Sequence, residues 1–148
     1  MGQQYVSRRI LVVDDNHDAA DTVAALLEAH GHTTHTAYGG REALSATVDF
    51  APEVIFLDIG MPVMDGYETA VALRKLIGGE ALQIVALTAW NDAKARALVI
   101  EAGFDAHLTK PAQLDALLNA TQRGVRMSAS EERRSREECA TVAPAFLP

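Results

Sequence analysis

The sequence predicts an α/β protein whose core is a parallel sheet covered by helices on both faces, a doubly wound arrangement. Short apolar runs alternate with helical patterns from about Ile10 to Gln122, and five such pairs can be counted. The runs consist mostly of branched residues bounded by turn signals, which is typical of strands buried on both faces. With 148 residues, 49% of them apolar, the chain suits a single domain with a substantial core.

The first two strands and helices follow from apolar runs and glycines. Ile10–Val13 is predicted as the first strand, and a helix follows over Asp18–His30, where Gly31 ends it. The second strand is predicted over His32–Tyr38, and the second helix runs from Gly39 to Phe50.

The first helix carries two neighbouring apolar stripes. The stripe predicted to face the core contains Ala19, Val23, Leu26 and His30. A second flank, which contains Ala20, Ala24 and Leu27, either docks a partner protein or is wedged on the sheet.

The remaining elements alternate in the same way, with a loop marked by Met61-Pro62 and Asp65-Gly66. A cap at Asn91 or Asp92 begins the fourth helix, and the fifth helix begins at Pro111 and turns Leu114, Leu117 and Leu118 inward. In order, the predicted elements are a strand over Glu53–Leu57, a helix over Tyr67–Leu76, a strand over Ile84–Leu87, a helix ending at Ala102, a strand over Ala106–Thr109 and the fifth helix.

Composition excludes several classes of function. The net charge of -7 and the lack of a basic stripe argue against direct binding to nucleic acid. No apolar stretch is long enough to span a bilayer and the start lacks the apolar core of a signal peptide, so a cytoplasmic protein without membrane insertion is expected. The single cysteine, Cys139, lies in a polar tail over 124–148 that is predicted to be a disordered linker.

Polar side chains stand where four of the predicted strands end. Asp14 and Asp15 follow the first strand, Asp58 the third, Thr88 the fourth and Lys110 the fifth. Because ligands of parallel sheets bind outside the carboxyl ends of the strands, these groups are expected to converge. Three adjacent carboxylates are stable together only around a cation, and oxygen ligands with room for water suit Mg²⁺.

With such an ion present, Asp58 is the candidate nucleophile toward a phosphoryl group, giving an aspartyl phosphate. Lys110 and Thr88 would balance charge on the phosphoryl oxygens. A transition-metal cluster is disfavoured because no cysteine or second acid joins the neighbouring histidines, which are His30, His32 and His35.

At these positions the chain resembles the receiver domain of two-component response regulators, over roughly residues 8–123. The matching segments, in order, are Leu11-Val12-Val13-Asp14-Asp15, the acceptor context from Leu57 to Gly66, Leu87-Thr88-Ala89 and Lys110-Pro111. The resemblance implies a flavodoxin-like fold with strand order 2-1-3-4-5. It also implies that Asp58 is phosphorylated from a phosphohistidine of a partner histidine kinase or histidine phosphotransfer protein.

The same resemblance assigns the other site roles. Mg²⁺, for which Mn²⁺ can substitute, would be held by Asp15, Asp58, the backbone carbonyl of Gly60 and, through water, Asp14. Thr88 and the residue at 107 form the family's switch, but His107 replaces the usual aromatic ring. Gly60 and Trp90 occupy positions that tune the phosphoryl lifetime, and the Lys110-Pro111 peptide is expected to be cis.

Rival interpretations remain at this point. A haloacid dehalogenase type of phosphohydrolase needs a second acid two residues after the nucleophile, and Asp58-Ile59-Gly60 lacks it. A flavin-binding protein would need a phosphate cradle where this chain has Asp14 and Asp15. A receiver-like interaction module that works without phosphorylation is the main alternative.

The chain by itself is not expected to be an enzyme beyond its own phosphorylation and dephosphorylation, and it belongs either to a stand-alone regulator or to a hybrid histidine kinase. A homodimer through helix 4, strand 5 and helix 5 is one arrangement that the resemblance allows.

Overall fold

A computed structural model of the protein describes residues 6–76, 78–89 and 93–122. In these residues five parallel strands form one sheet in the order 2-1-3-4-5, which confirms the predicted doubly wound, flavodoxin-like fold. The tail over 124–148, Trp90 and the predicted cap at Asn91 or Asp92 lie outside the described residues. The elements are β1 (Arg9–Val13), α1 (His17–Ala29), β2 (Thr33–Ala37), α2 (Gly40–Phe50), β3 (Val54–Asp58), α3 (Gly66–Arg74), a 3₁₀ turn (Gly79–Ala81), β4 (Gln83–Thr88), α4 (Ala93–Glu101), β5 (Ala106–Thr109) and α5 (Leu114–Gln122).

The core lies on both faces of the sheet, as the continuous apolar runs predict. Alternate residues of each strand point to opposite faces. One face packs against α2, α3 and α4, and the other packs against α1 and α5. The central strand β3 is buried along its whole length. Each large side chain buried there stabilises the fold by about 1.5–3 kcal/mol.

The predicted orientation of α1 is wrong. The residues buried against the sheet are Ala20, Ala24 and Leu27, whereas Leu26 of the predicted core stripe is 38% exposed. The helix begins at His17 after the cap Asn16, whose side chain accepts a hydrogen bond from the Ala19 backbone. The flank formed by Ala20, Ala24 and Leu27 therefore packs against the sheet and is not available for docking a partner.

Helix α2 begins one residue later than predicted, and α3 and α5 also begin at residues other than those predicted. Helix α3 begins at Gly66, because Asp65 and Glu68 form a capping box in which each side chain accepts a hydrogen bond from the other residue's backbone N–H. Helix α5 begins at Leu114, three residues after Pro111, and its first backbone bond runs from Leu117 N to Gln113 O. The inward orientation of Leu117 and Leu118 is confirmed, and the Lys110-Pro111 peptide is cis as expected.

Hydrogen bonds close the amino-terminal edge of the sheet. Gln122 at the end of α5 bonds both the N–H and the carbonyl of Val6 through its side chain. The buried His32 accepts a hydrogen bond from the Arg8 N–H at Nδ1, and its Nε2 lies 3.4 Å from Thr121 Oγ1. In the described part of the chain, no helix combines the length and apolar character that crossing a membrane requires.

The environment of His32 predicts a pH dependence of stability. Burial, and then the charges of His30 and Arg8, lower the pKa of His32 below its ordinary value of 6.5. The unfolded chain therefore binds more protons, and this contribution to the free energy of unfolding falls as the pH drops below about 6.5. Urea unfolding between pH 7.5 and about pH 5 should show the decline. His32→Gln should flatten it, and an equally steep slope in that variant would contradict the assignment.

Candidate acidic site at the carboxyl edge of the sheet

The register of the strands brings the predicted site residues to one edge. Val13 on β1 pairs with Leu57 on β3, so Asp14 and Asp58 follow side by side. Asp58 pairs with Leu87 on β4, and Thr88 pairs with Thr109 on β5. Four strands thus end together, and we call Asp14, Asp15, Asp58 and Lys110 the acidic site.

The Lys110 ammonium group bridges two of the carboxylates. Its Nζ lies 2.9 Å from Asp14 Oδ2 and 2.9 Å from Asp58 Oδ1. Both carboxylate side chains are nearly buried, with exposed fractions of 4% for Asp14 and 9% for Asp58. Each carboxylate also accepts a hydrogen bond from a backbone N–H group: Asn16 donates to Asp14 Oδ1, and Gly60 donates to Asp58 Oδ1.

Burial and neighbouring groups shift the pKa values of Asp58 and Lys110. Burial raises the pKa of Asp58, the Lys110 hydrogen bond opposes the rise, and the Asp14 charge adds to it. Burial alone lowers the pKa of Lys110, but hydrogen bonds to Asp14 and Asp58 outweigh it and raise the pKa overall. The ammonium therefore stays charged, and Asp58 binds a proton more tightly than an ordinary aspartate does.

The donor set fits a hard divalent cation. One carboxylate oxygen from each of Asp14, Asp15 and Asp58 lies within 4.8 Å of the others, and Asp15 is exposed to solvent. This is the only such group of acids, histidines and cysteines found among the described residues. Oxygen-only ligands with an open side suit Mg²⁺, which keeps several water ligands, better than they suit zinc. His30 and His35 are exposed, and neither belongs to this group.

Thr88 and His107 lie on neighbouring strands beside the acidic site. Thr88 ends β4 and is 2% exposed, and its carbonyl accepts a hydrogen bond from the Lys110 N–H at 2.7 Å. His107 is half-buried on β5, in register with Ala86. Burial, and then the charge of Arg96, lower its pKa. Gly60 is exposed, and Trp90, the other predicted tuning residue, lies outside the described residues.

Sequence reasoning identified Asp65-Gly66 as marking the loop after Asp58 but missed how these residues fix it. A Cβ atom on Gly66 would lie 2.6 Å from the carbonyl oxygen of Asp58 and 2.6 Å from the Cα of Ile59. The Gly66 N–H also donates to the Ile59 carbonyl at 3.0 Å. Only the capping box of Asp65 and Glu68 leaves a local signal, an acid three residues before a glutamate. The close approach at Gly66 depends on the tertiary structure.

The fold and the acidic site define a flavodoxin-like protein with a cluster of carboxylates at one edge of its sheet, and comparison with known proteins gives its family. The family model of the response regulator receiver domain matches residues 10–122. An uncharacterised 14.6 kDa protein of Leptolyngbya boryana is 37% identical over 113 residues, which are 76% of this chain and 86% of that protein. The chain therefore belongs to the receiver domain family of response regulators.

Other relatives agree with this assignment. Response regulator MprA of Mycolicibacterium vanbaalenii is 37% identical over 110 residues, 74% of this chain and 47% of MprA, so the chain spans about half of that relative. The solved structure of chemotaxis protein CheY4 of Vibrio cholerae has a TM-score of 0.76 at 30% identity, covering 81% of this chain and 100% of that one. NtrX of Brucella abortus has a TM-score of 0.73 at 29% identity, covering 92% of this chain and 30% of that one.

Proposed function

We propose that the chain is a phosphoacceptor switch in which Asp58 takes a phosphoryl group from a phosphohistidine of a partner kinase or phosphotransfer protein. The observation that carries the proposal is the Lys110 ammonium 2.9 Å from Asp58, with the carboxylates of Asp14 and Asp15 close by. A nucleophile, a fixed positive charge and a cation-binding acid pair are the groups that phosphoryl transfer requires.

The two oxygens of Asp58 differ in their surroundings. Oδ1 accepts from Lys110 and from the Gly60 N–H, whereas Oδ2 has no hydrogen-bond partner within the described ranges. Oδ2 is the proposed nucleophile. It forms the new P–O bond as the P–N bond to the donor imidazole breaks, and the imidazole nitrogen keeps that electron pair. Lys110 balances charge on the transferred group, and Thr88 donates its hydroxyl to a phosphoryl oxygen.

Magnesium would be held by Asp15, Asp58 and the Gly60 carbonyl, and Asp14 would bind it through a water ligand. When bound, it would supply positive charge to the phosphoryl oxygens and offset repulsion among the carboxylates. Mn²⁺ has the same preference for oxygen ligands and is proposed as a substitute.

The output is proposed to be a change in protein contacts near Thr88 and His107. Receiver function depends on partners, and nothing in the charge of the chain favours direct binding to nucleic acid.

The cytoplasm, where ATP-dependent kinases act, is the proposed compartment. Residues 8–123 are the proposed receiver domain. A homodimer through α4, β5 and α5, and an origin in a hybrid histidine kinase, stay predictions.

Acetyl phosphate with Mg²⁺ tests the proposal directly. Intact mass should rise by one phosphoryl group, peptide mapping should place the group on Asp58, and Asp58→Asn should stay unlabelled. EDTA should prevent labelling of the wild-type chain. A chain that stays unmodified would refute the proposal in favour of an interaction module that works without phosphorylation.

Magnesium is also expected to stabilise the fold. At about ten to a hundred times its dissociation constant, it should raise the free energy of unfolding by about 1.4–2.7 kcal/mol. The increase should shrink as the pH falls, because the raised pKa of Asp58 lets protons compete for the ligand.

Asp15→Asn is the variant that checks this effect by thermal unfolding. Asp15 is exposed, so its loss should barely disturb packing, and it removes one negative charge from the cluster. We expect the magnesium-free variant to be at least as stable as the wild-type chain but to gain little from magnesium. The exposed Asp18 in the first turn of α1 offers the control, since Asp18→Asn should be stabilised by magnesium as much as the wild-type chain is.

A further inference from the structure

Val63, at the tip of the loop between β3 and α3, has a backbone conformation that valine disfavours. Its φ is +66°, and the Met64 N–H donates to the Pro62 carbonyl across it at 2.7 Å. A hydrogen bond between residues two apart, with a positive φ between them, defines a classic γ-turn, which is rare and strained. Branching at Cβ makes this left-handed conformation still less favourable.

Neighbouring contacts hold the turn in place. Met61 is 5% exposed on one side of it. On the other side, Met64 packs against α2 so closely that a Cβ atom on Gly40 would lie 2.8 Å from its Cγ. Asp65 then caps α3. With both sides anchored, the strain at Val63 is imposed by the surrounding fold.

The Val63 side chain contributes almost nothing to that fold. It is 95% exposed, the highest value among the large apolar side chains described. Glycine or asparagine would fit the same φ with less strain and without exposing apolar surface. The second described residue of this kind other than glycine, Ala51 with a φ of 54°, has a small side chain and ends α2 at the opposite edge of the sheet.

The location of Val63 indicates what covers it. The Asp58 side chain is 9% exposed, so a phosphohistidine must insert its imidazole into the site. The surface of the donor protein then lies on the rim, which includes the loop between Asp58 and the α3 cap. A small donor such as acetyl phosphate reaches Asp58 without covering that loop.

We propose that Val63 is a specificity-determining contact that packs against an apolar patch on the protein that donates the phosphoryl group. The inference rests on the proposed function of Asp58 and adds the chemistry by which the donor is recognised. The strained turn holds the side chain outward, so little conformational freedom is lost on binding. The contact favours donors with an apolar surface next to the phosphohistidine and does not act on the chemical step.

Val63→Asn tests the contact, because asparagine tolerates the turn but removes the apolar surface. The protein donor is an autophosphorylated histidine kinase, selected from a panel as the fastest donor to the wild-type chain. We expect kcat/KM for transfer to fall about tenfold, as for loss of an interface contact of moderate strength. The rate with acetyl phosphate should stay within about twofold. The melting temperature should rise by about 2 °C as the strain is relieved.

Ala51→Asn is the matched control, since it makes the same change at a left-handed residue far from Asp58. It should also raise the melting temperature and should leave transfer from the kinase unchanged. Unchanged transfer to Val63→Asn, an equal loss with acetyl phosphate, or a lower melting temperature would each overturn the proposal. Labelling by acetyl phosphate with no transfer from any kinase would also overturn it while leaving the role of Asp58 intact. Failure of both donors would instead refute the proposed function.

Discussion

Replacing Lys110 with methionine is expected to slow phosphorylation of Asp58 by acetyl phosphate about 100-fold at saturating Mg²⁺. The ammonium lies 2.9 Å from Asp58 Oδ1 and 2.9 Å from Asp14 Oδ2, and methionine retains most of the side-chain length without the charge. Charge on the transferred phosphoryl group would then lose its fixed protein partner. Time-resolved intact mass measures the rate, and circular dichroism confirms that the variant is folded.

The same substitution should shift the pH dependence of the phosphorylation rate to higher pH. The Lys110 hydrogen bond lowers the pKa of Asp58 against the effect of burial, so its loss lets the pKa rise further. Since only the carboxylate is nucleophilic, the rising limb of the rate profile shifts upward in pH. Lys75→Met, at an exposed position at the end of α3, should match the wild-type chain. A rate within threefold of wild type in Lys110→Met would leave the ammonium a purely structural role.

Gly66→Ala is expected to destabilise the fold by about 3 kcal/mol and to impair phosphorylation. Alanine favours a helix over glycine by about 1 kcal/mol, which alone would stabilise α3. The added Cβ, however, would lie 2.6 Å from the Asp58 carbonyl oxygen and 2.6 Å from the Ile59 Cα. Backbone atoms cannot move aside as a flexible side chain can, so the steric cost exceeds the gain in helix propensity.

Urea unfolding and acetyl phosphate labelling together check the Gly66 prediction. Gly60→Ala is the control for stability, because nothing lies within 4 Å of its added Cβ, and its free energy of unfolding should stay within about 1 kcal/mol of wild type. A Gly66→Ala variant as stable as the wild-type chain would show that α3 can shift away from β3. Normal stability with slow labelling would mean that the loop moved without disturbing the core.

The strand-end groups could be predicted from sequence because their signal is local. Four of the five predicted strands end at a polar residue of interest, and parallel pairing places the ends of neighbouring strands at one edge. Asp14, Asp58 and Lys110 are 44 or more residues apart along the chain, yet no knowledge of the loops was needed to bring them together.

The rotation of α1 could not be predicted in this way. Alanine is apolar enough to belong to either stripe, so the helix has two overlapping apolar stripes and periodicity alone cannot choose between them. The cap at Asn16 fixes the start of the helix, and only the packed sheet shows that Leu27 faces inward and Leu26 outward.

The loop after Asp58 was the other feature beyond sequence reasoning. Local propensity argues against a left-handed valine, so Val63 contradicts the pattern that a sequence-based prediction relies on. The tight fit of Gly66 depends on an approach between two elements that no local pattern encodes. Both features lie next to the proposed nucleophile, where local preferences are often overridden.

The hydrogen bonds between Val6 and Gln122 have a practical consequence for reporters. They hold the two ends of the described domain together at the amino-terminal edge of the sheet. Strand β1 contains five residues, so it keeps that edge about 16 Å from the start of the acidic site. Fluorescent proteins attached before residue 6 and after residue 122 would sit close enough for energy transfer and clear of Asp58, which makes this pair of positions suitable for following the domain in living cells.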